Sequence, residues 1–250
     1  MLRELVDEDN DATLRQLAER LEAQTGLKLA LSSVWRALDS LGFTRKKKSF
    51  KASEVQTPAK QQKRAEFRQQ VNEFDPKNFI FIDESGFNRG MTPEYARSPE
   101  GERAYSERPT SKGKNLSVIG AISLNQGVMT GLSFEGGMTG RVFLFFIEEL
   151  LVPILWPGAI VILDNLPAHK VDGVLEAIEA AGANVLYLSP YSPDFNPIEN
   201  LWSKVKAFVR RAEARTKEAL DEAISNALET ITLKDIQNWS IHCCYGTQLS

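Results

Sequence analysis

The sequence predicts an α/β fold: a mixed sheet with helices on both faces, preceded by a small all-α segment. Three observations carry this. Apolar runs of strand length begin at residue 78, and two of them end in acids. The first strands pair as a meander and the later ones alternate with helical patterns, as in a sheet covered on both sides. The first 45 residues show helical spacing instead.

In that first segment Leu14, Leu17, Ala18 and Leu21 repeat at i, i+3, i+4 and i+7, an amphipathic stripe. Gly26 follows Thr25 as a C-cap. Ser32 or Ser33 then caps a second helix that carries Val34, Leu38 and Leu41 and stops at Gly42. Two short helices joined by a Gly-containing turn suggest a helix-turn-helix. Any small helical subdomain has the same pattern. The run Arg45-Lys46-Lys47-Lys48, followed by Lys51, favours DNA, because phosphate contacts dominate DNA affinity. Residues 49–75 are polar, basic and Gln-rich, with a helical start near Pro58, and read as a linker that tracks DNA backbone.

The texture changes at Asn78. Asn78 to Glu84 (NFIFIDE) is a buried strand. Leu116 to Leu124 and Val128 to Phe134 are two strands joined at Asn125-Gln126-Gly127. Gly140 to Leu155 is an apolar helix, Ala159 to Leu163 a buried strand, and Val171 to Ala181 a helix. Val185 to Leu188 is the last strand. Asn196 to Arg211 and residues 216–239 are helical.

Composition narrows the classes. The chain has 250 residues, 42% apolar and 25% charged, which excludes collagen, a long coiled coil and a wholly disordered chain. Cys243 and Cys244 are adjacent and form neither a disulfide framework nor a zinc-finger spacing, so a reducing, cytoplasmic setting is the simplest reading. The first ten residues are acidic where a secretory signal is basic and then apolar. The longest apolar stretch, Val142 to Trp156, contains Glu148 and Glu149 and is too short and too charged to span a bilayer. Lys28 to Gln70 carries eleven Lys/Arg against three acids, a net of +8, which leaves −11 for the rest of a chain totalling −3. Such asymmetry points to one part that meets a polyanion.

Three acids sit where acids are awkward. Asp83 ends an apolar strand, Asp164 ends another, and Glu199 lies in the first turn of the helix after a third. Strand C-terminal ends in open α/β sheets are where ligands bind. Buried acids cost desolvation unless paired or on a metal. Oxygen ligands without His or Cys suit magnesium or manganese. Each acid also has a plain structural reading. Asn196-Pro197-Ile198-Glu199 resembles a capping box, and Asp164-Asn165 and Asp83-Glu84-Ser85-Gly86 resemble turns.

The stretches FIFIDESGFN (79–88), IVILDNLPAHK (160–170) and LSPYSPDFNPIENLWSKVK (188–206) resemble the DDE-type transposases of bacterial insertion sequences in the mariner superfamily. Asp164 and Glu199 have 34 residues between them, the spacing this family uses. The third motif, with Tyr191, Pro193, Asn196, Pro197, Glu199 and Trp202, is long and specific. The resemblance covers about residues 10 to 210.

It implies a ribonuclease-H-like mixed sheet with flanking helices, with Asp83, Asp164 and Glu199 as catalytic metal ligands for two Mg2+ ions, Mn2+ substituting. The implied activity is DNA cleavage at transposon ends and strand transfer into target DNA, typically at TA. The implied partners are double-stranded DNA and a second copy of the chain, with no membrane and no small-molecule substrate, in a cytoplasmic, nucleoid-associated setting. Asn165, His169 and Asn200 are expected to support the ligands. Ser33, Arg36, Arg45, Lys46, Lys47 and Lys48 are expected to contact DNA. Lys204 and Lys206, in the basic set that runs on to Lys217, either line a DNA path or form a solvated helix face. Trp202 shares a helix face with Ile198 and Val205 and reads as core.

The expected divisions are a helix-turn-helix segment at 1–48, a basic linker at 49–75, a catalytic domain at 76–215 and a helical tail at 216–250. Full-length relatives carry two helix-turn-helix units, and this chain has room for one. It is either a truncated or frameshifted product or one with a reduced arm. The competing function is a DNA-binding repressor derived from an insertion element, catalytically inactive or truncated. A stand-alone nuclease is a third reading, which the N-terminal segment disfavours.

Overall fold

A computed structural model describes residues 1–45, 57–190 and 192–245. They fall into two compact units, one within residues 1–51 and one within 52–250.

The first unit holds α1 (Leu2–Glu8), α2 (Leu14–Thr25) and α3 (Leu31–Ser40). Thr13 and Gln16 close a capping box at the start of α2, and Gly26 ends it at φ 72°, a left-handed conformation that glycine adopts without a Cβ penalty. Leu5, Leu17, Ala18, Leu21 and Val34 form the core of this unit. Neither Ser32 nor Ser33 caps α3. The cap is Ala30, so the helix starts earlier than expected and both serines lie inside its first turn.

The second unit contains a five-stranded sheet of order β3-β2-β1-β4-β5. Its strands are β1 (Phe79–Phe87), β2 (Leu116–Ser123), β3 (Gly127–Glu135), β4 (Ile160–Leu163) and β5 (Asn184–Tyr187). The first three pair antiparallel, and β4 and β5 add in parallel. Successive strand residues face opposite sides, so β1 feeds two cores. Phe79 and Phe81 pack on one face with Trp202, Val205 and Val209 of α7 (Ile198–Ala212). Ile80 and Ile82 pack on the other with Phe143 of α5 (Gly140–Phe145) and Ile178 of α6 (Val174–Ala180). Gly140 is required where α5 meets the chain after β4: a Cβ there would lie 2.3 Å from Val171 Cγ1.

Several boundaries differ from the sequence expectation. β1 runs past Glu84, because Ser85, Gly86 and Phe87 stay paired with Val118, Ser117 and Leu116. Asp83 and Glu84 are therefore strand residues and not a turn. After Phe145 the α5 helix continues as a π-helical turn to Leu151 and a 3₁₀ turn to Ile154. The helix expected over 216–239 breaks into α8 (Lys217–Glu229) and α9 (Leu233–His242). Thr232 starts α9 by accepting from Asp235 N while the Asp235 carboxylate accepts from Thr232 N. Residues expected within a linker form α4 (Pro58–Val71), whose Phe67 and Val71 are buried in the same core as Trp202. Leu220, Ile224, Ile236 and Tyr245, from the expected tail, belong to that core too.

Candidate active site

β1 and β4 run in parallel, with Phe79 beside Ile160 and Phe81 beside Ile162. Two residues further along come Asp83, still within β1 and bonded to Trp202 of α7, and Asp164, just past the end of β4. Glu199 lies in the first turn of α7. The three expected carboxylates thus come from the middle of β1, the residue just after β4 and the first turn of α7.

Asp83 is opposite Gly120 of β2. Trp202 Nε1 donates to Asp83 Oδ2 at 3.1 Å, and the Trp202 ring is buried over Gly120. Burial, then the charges of Glu199, Glu84 and Asp164, push the Asp83 carboxyl up to about 8, although the Glu84 N–H opposes them. Glu199 is exposed. Crowding that excludes water from its carboxyl, with the charges of Asp164 and Glu84, still pushes it upward against the pull of Lys206.

Glu84 points the other way, toward the α5 face. There His169, wholly buried, sits between two acids: Nδ1 lies 2.6 Å from Asp164 Oδ1 and Nε2 lies 3.3 Å from Glu84 Oε2. Among the described residues none of Nδ1, Nε2 and Glu84 Oε2 has an aligned hydrogen-bond partner, so these are charge contacts. The imidazole also packs on the Phe143 ring, centroids 4.1 Å apart. Burial pulls His169 down, but Asp164 and Glu84 outweigh it and raise it to about 9. Burial pushes Asp164 up, and the contacts of His169, the Leu166 N–H and Lys170 prevail and hold it below the usual carboxylate range.

The other expected residues divide. Asn165 Nδ2 donates to Leu188 O and its Oδ1 accepts from Lys170 Nζ, so it ties the end of β4 to the end of β5 and does not reach the carboxylates. Asn200 is half-buried beside Glu199. Lys204 is engaged: Nζ donates to Asp235 Oδ2 at 2.8 Å and to Thr230 O at 3.3 Å, pinning α7 to the α8–α9 junction. Lys206 Nζ lies over the Phe87 ring at 5.9 Å. Ser33 is half-buried, and Arg36 and Arg45 are exposed. Lys46, Lys47 and Lys48, and Tyr191 of the third motif, lie outside the described residues. The capping-box reading of Glu199 fails, because α7 is capped by Pro197 with no side-chain bond and, among the described residues, Asn196 Oδ1 has no partner.

Sequence reasoning missed two residues. Glu84 was readable only as part of a turn, although its position after Asp83 in a strand puts it on the opposite face. Trp202 read as core alone, although it lies three residues after Glu199 on the same helix face.

The donor set Asp83, Asp164 and Glu199 suits a hard divalent cation in chemistry and charge. Burial raises the Asp83 carboxyl first and the charges of Glu199, Glu84 and Asp164 add to it, and a bound cation would offset both. Among the described residues no three His, Cys, Asp or Glu side chains are grouped closely enough to hold a metal ion as they stand. No helix among them is long and apolar enough to cross a membrane.

The sheet order, with its flanking helices, defines a ribonuclease-H-like domain. The family model for DDE superfamily endonucleases matches residues 78–221, and the chain belongs to that family. A comparison with curated proteins returns no match. Among solved structures the chain is similar to a Mos1 transposase paired-end complex with the left transposon end, at 18% identity and TM-score 0.74, covering 100% of this chain and 79% of that one. A mariner Mos1 paired-end complex with Mg matches at 17% identity and TM-score 0.74, covering 100% of this chain and 79% of that one. The Mos1 catalytic domain with raltegravir and Mg matches at 14% identity and TM-score 0.55, covering 80% of this chain and 100% of that one.

Proposed function

We propose that the chain is a transposase that cleaves DNA at transposon ends and joins the freed end to target DNA at TA, with Asp83, Asp164 and Glu199 as its catalytic carboxylates. The observation that supports this is a buried Asp83 in a ribonuclease-H-like sheet, whose carboxyl is pushed up to about 8 by burial first and then by the charges of Glu199, Glu84 and Asp164. Water attacks a phosphodiester, one P–O bond forms and one breaks, and a 3′-hydroxyl leaves. That hydroxyl then attacks a target phosphodiester in the same way. Asp83, Asp164 and Glu199 would hold Mg2+ or Mn2+ ions, two in this reading, which would supply charge stabilisation to the reacting phosphodiester. Trp202 orients Asp83. His169 engages Asp164 Oδ1 and leaves the other carboxylate oxygen to face the substrate side. Asn200 and Lys206 sit beside Glu199, and Lys206 offsets its charge.

The first unit is the DNA-binding arm in this reading, with α2 and α3 as a helix-turn-helix and Ser33, Arg36 and the Arg45 to Lys48 run at the phosphates. A homodimer handles two transposon ends together. The relatives' Mg complexes and paired-end DNA complexes support these assignments by analogy of fold.

The test is a plasmid carrying candidate ends, incubated with the full chain in Mn2+, with product junctions sequenced. Joints at TA dinucleotides bear the reading out, and cleavage without any joint would leave a nuclease. The separate core of the first unit favours one alternative, a DNA-binding repressor. DNA binding retained in EDTA, with no cleavage in Mn2+, would establish it.

A further inference from the structure

Helix α7 has no cap of its own, yet it must present Glu199. Its N-cap is Pro197, and among the described residues no side chain caps its first turn and the buried Asn196 Oδ1 just before it has no partner. Something else must fix where the helix begins. The turn Pro193–Phe195 that precedes it is gripped from two sides. From α4, Arg64 Nη1 donates to Ser192 Oγ at 2.6 Å and to Asp194 Oδ1 at 3.1 Å, and Nη2 donates to Asp194 Oδ2 at 2.5 Å. The same guanidinium lies over the Phe195 ring at 4.3 Å, with Arg68 over that ring at 4.9 Å. Phe67 stacks on Phe195 at 5.5 Å. From the C-terminal side, Tyr245 Oη donates to Phe195 O at 2.6 Å.

We propose that Arg64 is a positioning residue for Glu199: its fork on Asp194 and its stack on Phe195 set the turn from which α7 carries Glu199 to the site. The proposal rests on the reading of Glu199 as a metal-binding carboxylate. The Arg64 side chain is 11% exposed while that of Asp194 is 51% exposed, so the pair holds a buried cation against a half-solvated turn. A planar fork that both chelates a carboxylate and stacks on a ring is a role that Lys cannot fill. Three residues separate Phe195 from Glu199, and all three (Asn196, Pro197 and Ile198) are buried. A shift of the turn is therefore passed to the helix start and not absorbed by a loose loop. Groups that orient metal ligands from behind typically alter metal affinity 10–100-fold when changed.

The test is Mn2+ binding to the full chain by titration calorimetry, with Arg64→Lys, Asp194→Asn, Glu199→Gln and the double variant Arg64→Lys with Glu199→Gln. Far-UV circular dichroism checks that each is folded, and Arg64→Lys keeps the test open if Asp194→Asn does not fold. The expected result is roughly 10–100-fold weaker binding for Arg64→Lys and Asp194→Asn, with no further loss from Arg64→Lys once Glu199 is Gln. Native-like binding by both single variants, or losses that add in the double variant, overturn the proposal while leaving the three-carboxylate reading standing. Native-like binding by Glu199→Gln removes Glu199 from the site, and the role of Arg64 with it.

Discussion

Trp202 Nε1 reaches Asp83 Oδ2 across 3.1 Å only because the residue beneath its ring is Gly120. A Cβ at that position would stand 3.0 Å from Trp202 Cη2. Gly120→Ala therefore crowds the ring, which must give by a few tenths of an ångström. The expected cost is about 1–3 kcal/mol, typical of overpacking, with weakened cleavage. Trp202→Phe keeps the ring and removes the donor, so Asp83 loses a partner and activity falls with less loss of stability. Thermal unfolding and nicking rates measured side by side separate the two effects.

Asp83→Asn should make the protein inactive and more stable. The folded pKa of Asp83, about 8, lies above its ordinary value of 3.8, so the folded chain holds this proton more tightly than the unfolded one. The stability that proton contributes is fully present below about pH 4 and is lost as pH rises through about 8. In EDTA at pH 8.5 Asp83→Asn is expected to raise Tm by roughly 2–4 °C, the shift that about 1 kcal/mol gives in a domain of this size. Added Mn2+ should stabilise the native chain and not the variant.

His169 acts in the opposite setting, a cation between two acids. Its folded pKa of about 9 exceeds the ordinary 6.5, so its contribution is complete below about pH 6.5 and lost as pH rises through about 9. His169→Ala leaves Asp164 and Glu84 facing each other without their cation and is expected to cost about 3 kcal/mol. His169→Gln keeps volume and donors but no charge, and should recover part of that stability. Denaturant unfolding at pH 6 and pH 9.5 checks both points, since the native chain and His169→Gln should differ less at the higher pH.

Lys204 and Lys206, two residues apart on α7, should separate cleanly. Lys204→Ala breaks the bond to Asp235, whose carboxyl is held down to about 2 chiefly by that lysine. It lowers stability by up to about 1 kcal/mol, as exposed pairs do, and leaves DNA affinity unchanged. Lys206→Ala leaves Tm alone, weakens DNA binding and lowers the salt slope by about 1. Fluorescence anisotropy over a salt series reads the second effect.

Much of the sheet was legible because apolar runs such as FIFI and IVIL admit few alternatives at strand length. The parallel pairing of β1 and β4 then follows from a helical crossover, and with it the placement of Asp83 near Asp164. The end of β1 was not legible: Asp83-Glu84-Ser85-Gly86 has turn composition, and only the ladder to Val118, Ser117 and Leu116 keeps it extended. The break at Thr230 was hidden for a related reason. The Thr232–Asp235 box lies inside a stretch whose apolar spacing continues across it. The helical start of α4 near Pro58 was legible, but its docking on the core was not. Its polar, basic sequence reads as linker, and the two buried residues that dock it, Phe67 and Val71, are too few to set a period. Glu84 and Trp202 escaped notice because their partners, His169 and Asp83, are 85 and 119 residues away.

The most direct test is nicking of supercoiled plasmid in Mn2+ by the native chain and by Asp164→Asn. The substitution keeps the shape beside His169 and removes the charge a cation needs. Nicking by the native chain and none by Asp164→Asn is the predicted result. Equal nicking by both would contradict the assignment of Asp83, Asp164 and Glu199 as the catalytic carboxylates.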